Sequence, residues 1–175
     1  MTLYVVLRPI DEEDLLTLFK WRNDPLIMSR TRQWRELSWK EHKSWFDNLD
    51  LDKNLMYGIV SSRSDINEHA ELVGVCGLCY IDLINRSAEV SIYIGDSFRR
   101  RTGIGSEVLR YLKIKAFDVL GLHRIYAEIY AFNVPGIRLF EGCSFKCEAT
   151  ISDTVYMEGG WFSSKFYTYK EDDWR

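Results

Sequence analysis

Residues 88–112, AEVSIYIGDSFRRRTGIGSEVLRYL, set a strand, a turn and a helix in the middle of the chain. Glu89, Ser91 and Tyr93 alternate with Val90, Ile92 and Ile94, the period-two pattern of a strand. Gly95-Asp96-Ser97 ends it. After Arg99, Arg100 and Arg101, the segment Thr102-Gly103-Ile104-Gly105-Ser106 leads into a helix. That helix places Val108, Leu109, Leu112, Ala116, Phe117 and Leu120 on one apolar stripe.

The chemistry of this junction is anion binding. A helix start leaves its first backbone N–H groups unpaired, and the helix dipole adds partial positive charge there. Gly103 and Gly105 lack a Cβ, so a phosphate can come close to the chain. Three consecutive arginines add charge at the same place. The pattern is neither a dinucleotide fingerprint, which needs a third glycine, nor a P-loop, which needs a Gly-Lys-Ser/Thr ending. Taken alone, it fits a solvated basic corner as well as a phosphate cradle.

The rest of the chain reads in order. Leu3–Leu7 is a strand stopped by Arg8-Pro9, with Asp11 as helix N-cap. Leu15, Leu16, Leu18 and Phe19 give a helix carrying Trp21-Arg22-Asn23 near its end, and Asp24-Pro25 marks a break. Ser38 with Glu41 forms a capping box for a second helix, whose apolar face carries Trp45, Phe46 and Leu49. Strands follow at Leu55–Ser61, at Leu72–Ile84 (long or bent) and at the central segment, with 63–70 as a polar loop. After the central helix come a strand at Arg124–Tyr130, a short helix with Pro135 in its first turn, and two strands joined around Glu158-Gly159-Gly160. A chain of 175 residues suits one sizeable core.

Composition excludes some classes. The net charge of −3 gives no sign of bulk nucleic-acid binding, and the positive charge that matters is local. Nothing approaches the roughly 20 apolar residues of a membrane span. The start of the chain turns acidic at Asp11, unlike a signal peptide. Cys76, Cys79, Cys143 and Cys147 have the count of a zinc site, but Cys76 and Cys79 sit in an apolar strand-like run without a knuckle turn. Buried, reduced cysteines in a cytoplasmic protein and no metal are expected.

Arg100-Arg101-Thr102-Gly103-Ile104-Gly105 resembles the Arg/Gln-x-x-Gly-x-Gly/Ala signature of the GNAT superfamily of N-acetyltransferases, between a strand and a helix as in that family. A second match follows at the family's usual distance: Ala127-Glu128-Ile129, then Asn133, Leu139-Phe140-Glu141 and Phe145. The resemblance covers nearly the whole chain, most securely residues 70–146, and implies a single α/β domain over residues 1–175. Its mixed sheet would splay apart between strands at about 88–95 and 124–131 to admit acetyl-CoA. The resemblance places the pantetheine arm along Ser91, Ile92, Tyr93 and Ile94. It places the phosphates at Arg99, Arg100, Arg101, Gly103, Ile104, Gly105 and Ser106, with Asn133 and Arg138 contributing from the second match.

Acetyl transfer to an amine also needs a base and an exit for the thiolate. Glu89 stands eleven residues before Arg100, where the histone-acetylating branch carries its glutamate. Glu128 stands five before Asn133, where the amino-sugar branch carries a proposed base. The family's acid tyrosine is replaced by Phe140, with Tyr126 and Tyr130 as possible substitutes. Gly136, Gly142 and Ser144 are smaller departures from the motif.

Four of the six tryptophans fall between Trp21 and Trp45, among Arg22, Asn23, Arg30, Arg32, Arg35 and His42. Aromatic planes with guanidinium groups suit a nucleotide or a sugar, with Trp21, Arg22 and Asn23 as acceptor-binding residues. The pattern resembles most the branch that acetylates amino sugars on nucleotide carriers. It also resembles branches acting on spermidine and on ribosomal-protein N-termini. The other alternative is a non-catalytic acyl-CoA sensor. A small-molecule amine as partner and a possible homodimer complete the expectation.

Overall fold

The computed structural model describes residues 4–62 and 70–175. Leu3 and the expected loop at 63–69 lie outside these residues. One sheet is built from β1 (Tyr4–Pro9), β2 (Leu55–Ser62), β3 (Glu71–Asp82), β4 (Ser87–Ile94), β5 (Arg124–Tyr130), β6 (Lys146–Met157) and β7 (Gly160–Lys170). Its order is β1-β2-β3-β4-β5-β7-β6. Every neighbouring pair is antiparallel except β4 and β5.

The expected central helix, α4 (Ile104–Lys113), follows β4 and runs into a wider π-helical turn, Ile114–Val119. Ile104, Val108, Leu109, Leu112 and Ala116 are at most 1% exposed, packed with Ala88 and Val90 of β4 and Ile125, Ala127 and Ile129 of β5. Each fully buried side chain of this size contributes roughly 1.5–3 kcal/mol. α5 (Val134–Gly142) joins the same core through Phe140, whose ring centroid lies 4.8 Å from that of Phe145. The even-numbered β4 residues are spent on this core, so Glu89, Ser91 and Tyr93 face the other side.

That other side is covered by α1 (Leu15–Arg22), α2 (Pro25–Met28) and α3 (Trp39–Asp47). Asp11 caps a 3₁₀ turn at Glu12–Asp14 before α1, and Ser38 and Glu41 form the capping box of α3. Asp24-Pro25, read above as a break, stands between α1, which ends at Arg22, and α2, which it opens. The Asp24 carboxylate accepts from the N–H groups of Leu26 and Ile27, with Pro25 in the first turn. β1 likewise runs on through Arg8 and Pro9, since a proline is tolerated on an edge strand.

His42, which lies in the same tryptophan- and arginine-rich segment, is 1% exposed among Phe19, Trp39 and Trp45. Burial and then the charge of Arg22 hold its imidazole below the usual range. Trp45, Phe46 and Leu49 are half-buried. Cys76 is buried, Cys79 and Cys143 half-buried, and Cys147 exposed, so the expectation of burial fails for the last. Among the described residues no group of three or more His, Cys, Asp or Glu is placed to hold a metal. Among them, too, no helix is long and apolar enough to cross a membrane.

Candidate active site

β4 and β5 pair only at Ser87 with Arg124, Ala88 with Ile125 and Glu89 with Tyr126. Their outer edges stay paired much further, β4 to β3 as far as Ile94 and β5 to β7 as far as Tyr130. Two rigid walls therefore part around a cleft of about 330 Å³. Glu89 to Ile94 line one wall and Ala127 to Tyr130 the other, with Asn133, Leu139 and Phe140 at one end. The β4 edge facing this gap makes no ladder with β5 beyond Glu89, which leaves main-chain groups for an extended arm to pair with.

Gly103 is the N-cap of α4, held at φ +93°, and no side chain caps the helix. The first turn is thus open to an anion. The three arginines are not equivalent. Arg100 donates to the carbonyls of Ile94 (3.0 Å) and Gly95 (3.1 Å), tying the end of β4 to the turn. Arg99 pairs with Glu71 at 3.2 Å and lies 3.8 Å from Asp96. Arg101 is exposed at φ +62° beside the helix start. Ile104 is buried and offers only its backbone, while Ser106 is exposed in the first turn. A Cβ on Gly105 would come within 2.9 Å of Leu139, so this glycine lets α4 and α5 pack closely. Asn133 caps α5 by accepting from the Gly136 N–H at 3.2 Å, and Arg138 is exposed on that helix.

The two glutamates meet across the cleft. Both are bridged by Arg32, from the segment between α2 and α3. Arg32 Nη2 donates to Glu89 Oε1 at 2.7 Å and to Glu128 Oε2 at 3.0 Å. Its Nη1 reaches Glu89 Oε2 at 3.2 Å, and its Nε reaches Glu128 Oε2 at 3.1 Å. Burial lowers the pKa of Arg32, and the bonds to Glu89 and Glu128 more than reverse that, leaving it above the ordinary value for arginine. The other oxygen of Glu128 accepts a 2.6 Å bond from Ser164 of β7, which in turn lies 2.7 Å from the Thr154 hydroxyl of β6. Among the described residues Arg32 is the only side chain bonded to the Glu89 carboxylate. Burial pushes the phenols of Tyr126 and Tyr130 up, helped by Glu89 and Glu128 respectively. Cys79, opposite Glu89 on β3, is pushed up to about 11 by burial and then by that carboxylate.

Beyond Arg32 opens a second cavity, of about 370 Å³. Arg22, Arg32, Arg35, Trp34, Ser91 and Tyr93 contribute to its lining, and no carboxylate among the described residues does. Trp34 is 84% exposed, with the Arg35 guanidinium 5.5 Å from its ring centre. Of the expected acceptor residues, only Arg22 reaches this cavity, its Nε donating to Gln33 at 2.9 Å. The Asn23 amide is taken up by Leu37, donating to its carbonyl at 2.9 Å and accepting from its N–H at 2.8 Å, which clamps the 31–37 segment onto α1. Trp21 packs on Gly95, where an added methyl would overlap its ring, and lies 6.5 Å from Tyr93. The sequence reading did not single out Ser164 and Thr154, and no local pattern marks them.

Residues 5–146 match the family model described as the acetyltransferase (GNAT) domain. An uncharacterized Methanocaldococcus jannaschii protein, MJ1062, is 31% identical over 147 residues, 81% of this chain, although the chain spans only 28% of that protein. The acetyltransferase PseH of Campylobacter jejuni is 22% identical, covering 85% of this chain and 87% of its own. The spermidine N(1)-acetyltransferase of Vibrio cholerae is 27% identical, covering 91% and 88%. A crystal structure of that spermidine acetyltransferase with CoA and spermine superposes with a TM-score of 0.84 at 21% identity, covering 97% of each chain. The chain belongs to the GNAT family and is an acetyl-CoA-dependent N-acetyltransferase.

Proposed function

We propose that the acceptor is the primary amine of a nucleotide-linked amino sugar. The observation that carries this reading is the cavity beside the glutamates: Arg22, Arg32, Arg35 (itself ion-paired to Glu41) and the exposed Trp34 line it, and no carboxylate among the described residues does. Guanidinium groups suit phosphate oxygens and an indole face suits a nucleobase, whereas a polyamine carries positive charge along its length and would be repelled. The acetyltransferase PseH is 22% identical and the spermidine N(1)-acetyltransferase 27%, both distant enough that the side chains are the better guide to the acceptor.

In this reading the open start of α4, with the nearby Arg101, holds the phosphates of acetyl-CoA, and the unpaired edge of β4 holds its extended arm. Glu89 accepts the proton that the amine loses as its nitrogen attacks the acetyl carbonyl carbon. Glu128, fixed by Ser164, supplies a constant negative charge beside it. The C–S bond then breaks. A thiolate, with a pKa of ~8.5 for its acid, leaves without strong help, and Tyr130, which lines the cleft, is the phenol placed to return a proton. Arg22 and Arg35 hold the anionic part of the acceptor, with Trp34 as the stacking surface. Self-association as a homodimer belongs to the same reading. It is supported by the exposed edge strand β6 and by a dodecameric Vibrio cholerae structure of the same fold, and light scattering tests it.

The deciding experiment is thiol release from acetyl-CoA with a UDP- or dTDP-linked 4-amino sugar, spermidine and an N-terminal peptide in competition. Preference for the nucleotide sugar supports the proposal, and preference for spermidine or peptide replaces it. Acetyl-CoA binding without turnover of any amine leaves the sensor reading.

A further inference from the structure

Arg32 is bonded in a way that an ordinary framework arginine is not. Its side chain is 53% exposed, yet it reaches in to two carboxylates that are only 16% and 18% exposed. Arg8 provides the contrast: it pairs with Asp14 at 2.7 Å, and that carboxylate also caps a helical turn, so the ion pair is part of the framework. Glu89 and Glu128 cap nothing. Since both bond one nitrogen of Arg32, their facing oxygens lie no more than about 6 Å apart, a separation at which two like charges disfavour each other unless a cation stands between. The cation found there is planar, comes from a segment outside any helix or strand, and sits where the cleft meets the acceptor-side cavity.

We propose that Arg32 is the specificity-determining residue of the acceptor site, its guanidinium holding the place of the acceptor's ammonium between Glu89 and Glu128. This deepens the reading of the acceptor as an amine that also carries an anion. On entry, the acceptor's ammonium takes over the carboxylates, and Arg32 turns outward to join Arg22 and Arg35 around the anionic group. One cation replaces another, so the buried carboxylates are never left unpaired. A polycation gains nothing from the exchange: it displaces Arg32 into a cavity that it must itself share with three guanidinium groups. Discrimination therefore comes from repulsion as much as from attraction.

Steady-state kinetics of Arg32→Ala and Arg32→Lys, with a nucleotide-linked amino sugar and with spermidine, test this. In Arg32→Ala the KM for spermidine is expected to fall about tenfold and that for the nucleotide sugar to rise about tenfold, with kcat changing only a few-fold and the acetyl-CoA Kd unchanged. Millimolar guanidinium ion should compete with the acceptor in Arg32→Ala and not in the wild type, because only the variant has the place vacant. Arg32→Lys, which keeps one positive charge, should retain the wild-type preference. Arg32→Gln, neutral and similar in reach, should repeat the alanine result and serves if the alanine variant fails to fold. An unchanged spermidine KM in both neutral variants, absence of guanidinium competition, or a lysine variant as permissive as alanine overturns the proposal. The wild-type acceptor panel tests the amino-sugar reading separately. If spermidine is the better wild-type substrate, that reading falls, and guanidinium competition against spermidine still decides the role of Arg32.

Discussion

On the α4 side of β4, apolar side chains drawn from most of the chain build a dry core, and the cleft that they support offers main-chain groups: the open edge of β4 and the uncapped start of α4. On the opposite side, Arg32 meets Glu89 across 57 residues and Glu128 across 96, and Ser164 meets Glu128 across 36. In the proposed reading the donor half is thus made of backbone held by packing, and the acceptor half of side chains held by one another. Backbone recognition tolerates many side chains, whereas a network of charges changes its preference when one member changes.

Single substitutions can break this contrast. Glu89→Gln has the largest expected effect: kcat falls by about 10²-fold or more, the usual scale of general-base help, while the acetyl-CoA Kd by calorimetry stays as it was. Equal damage to binding and turnover would show that the two halves are not separable. Leu112→Ala, in the donor-side core, should lower unfolding stability by roughly 2–5 kcal/mol in a denaturant titration, with the acceptor preference of the folded fraction intact. Gly103→Ala forces a Cβ into a left-handed conformation at a cost of about 1–2 kcal/mol, and should weaken acetyl-CoA binding several-fold without moving the acceptor KM. Ser164→Ala removes one bond to a charged oxygen and should lower kcat/KM for the acceptor by about tenfold, with acetyl-CoA binding unmoved. Phe140→Tyr has the smallest expected effect, a few-fold in kcat, since the leaving thiolate needs little help. A gain of orders of magnitude would mean that the natural protein is an impaired enzyme.

The elements of the β4–α4 side were legible because their signals are local. The alternation in β4, the glycines at the start of α4 and the stripe along α4 and the turn after it each lie within a short run of sequence, and the structure has those elements where the sequence put them. Asp24-Pro25 was legible as a break for an equally local reason, but the short helix that it caps was not foreseen. The acceptor half was only partly legible. Glu89 and Glu128 were found through spacing within motifs, and Arg32 was noticed only as one of several basic residues. Its place between the two carboxylates depends on the fold of a segment with no period of its own, fixed by Asn23 and Gln33. Arg99 and Arg100 look alike in sequence, but their partners, Glu71 and the β4 carbonyls, depend on where the chain turns.

The π-helical turn at Ile114–Val119 bears on how this chain tolerates insertions and deletions. Leu120 donates to the carbonyl of Lys115, five residues back, so the turn carries one residue more than a regular helix would. Downstream, β5 is locked to β7, with Glu128 opposite Phe166, and slipping β5 by one residue would turn Glu128 towards the apolar core. A single-codon deletion within 114–119 can be absorbed by converting the wide turn to an ordinary one. The same deletion inside β5 has no such slack. The gene's permissive and forbidden sites for length change therefore stand a few codons apart, and the boundary between them is where a helix hands over to the strand that carries Glu128.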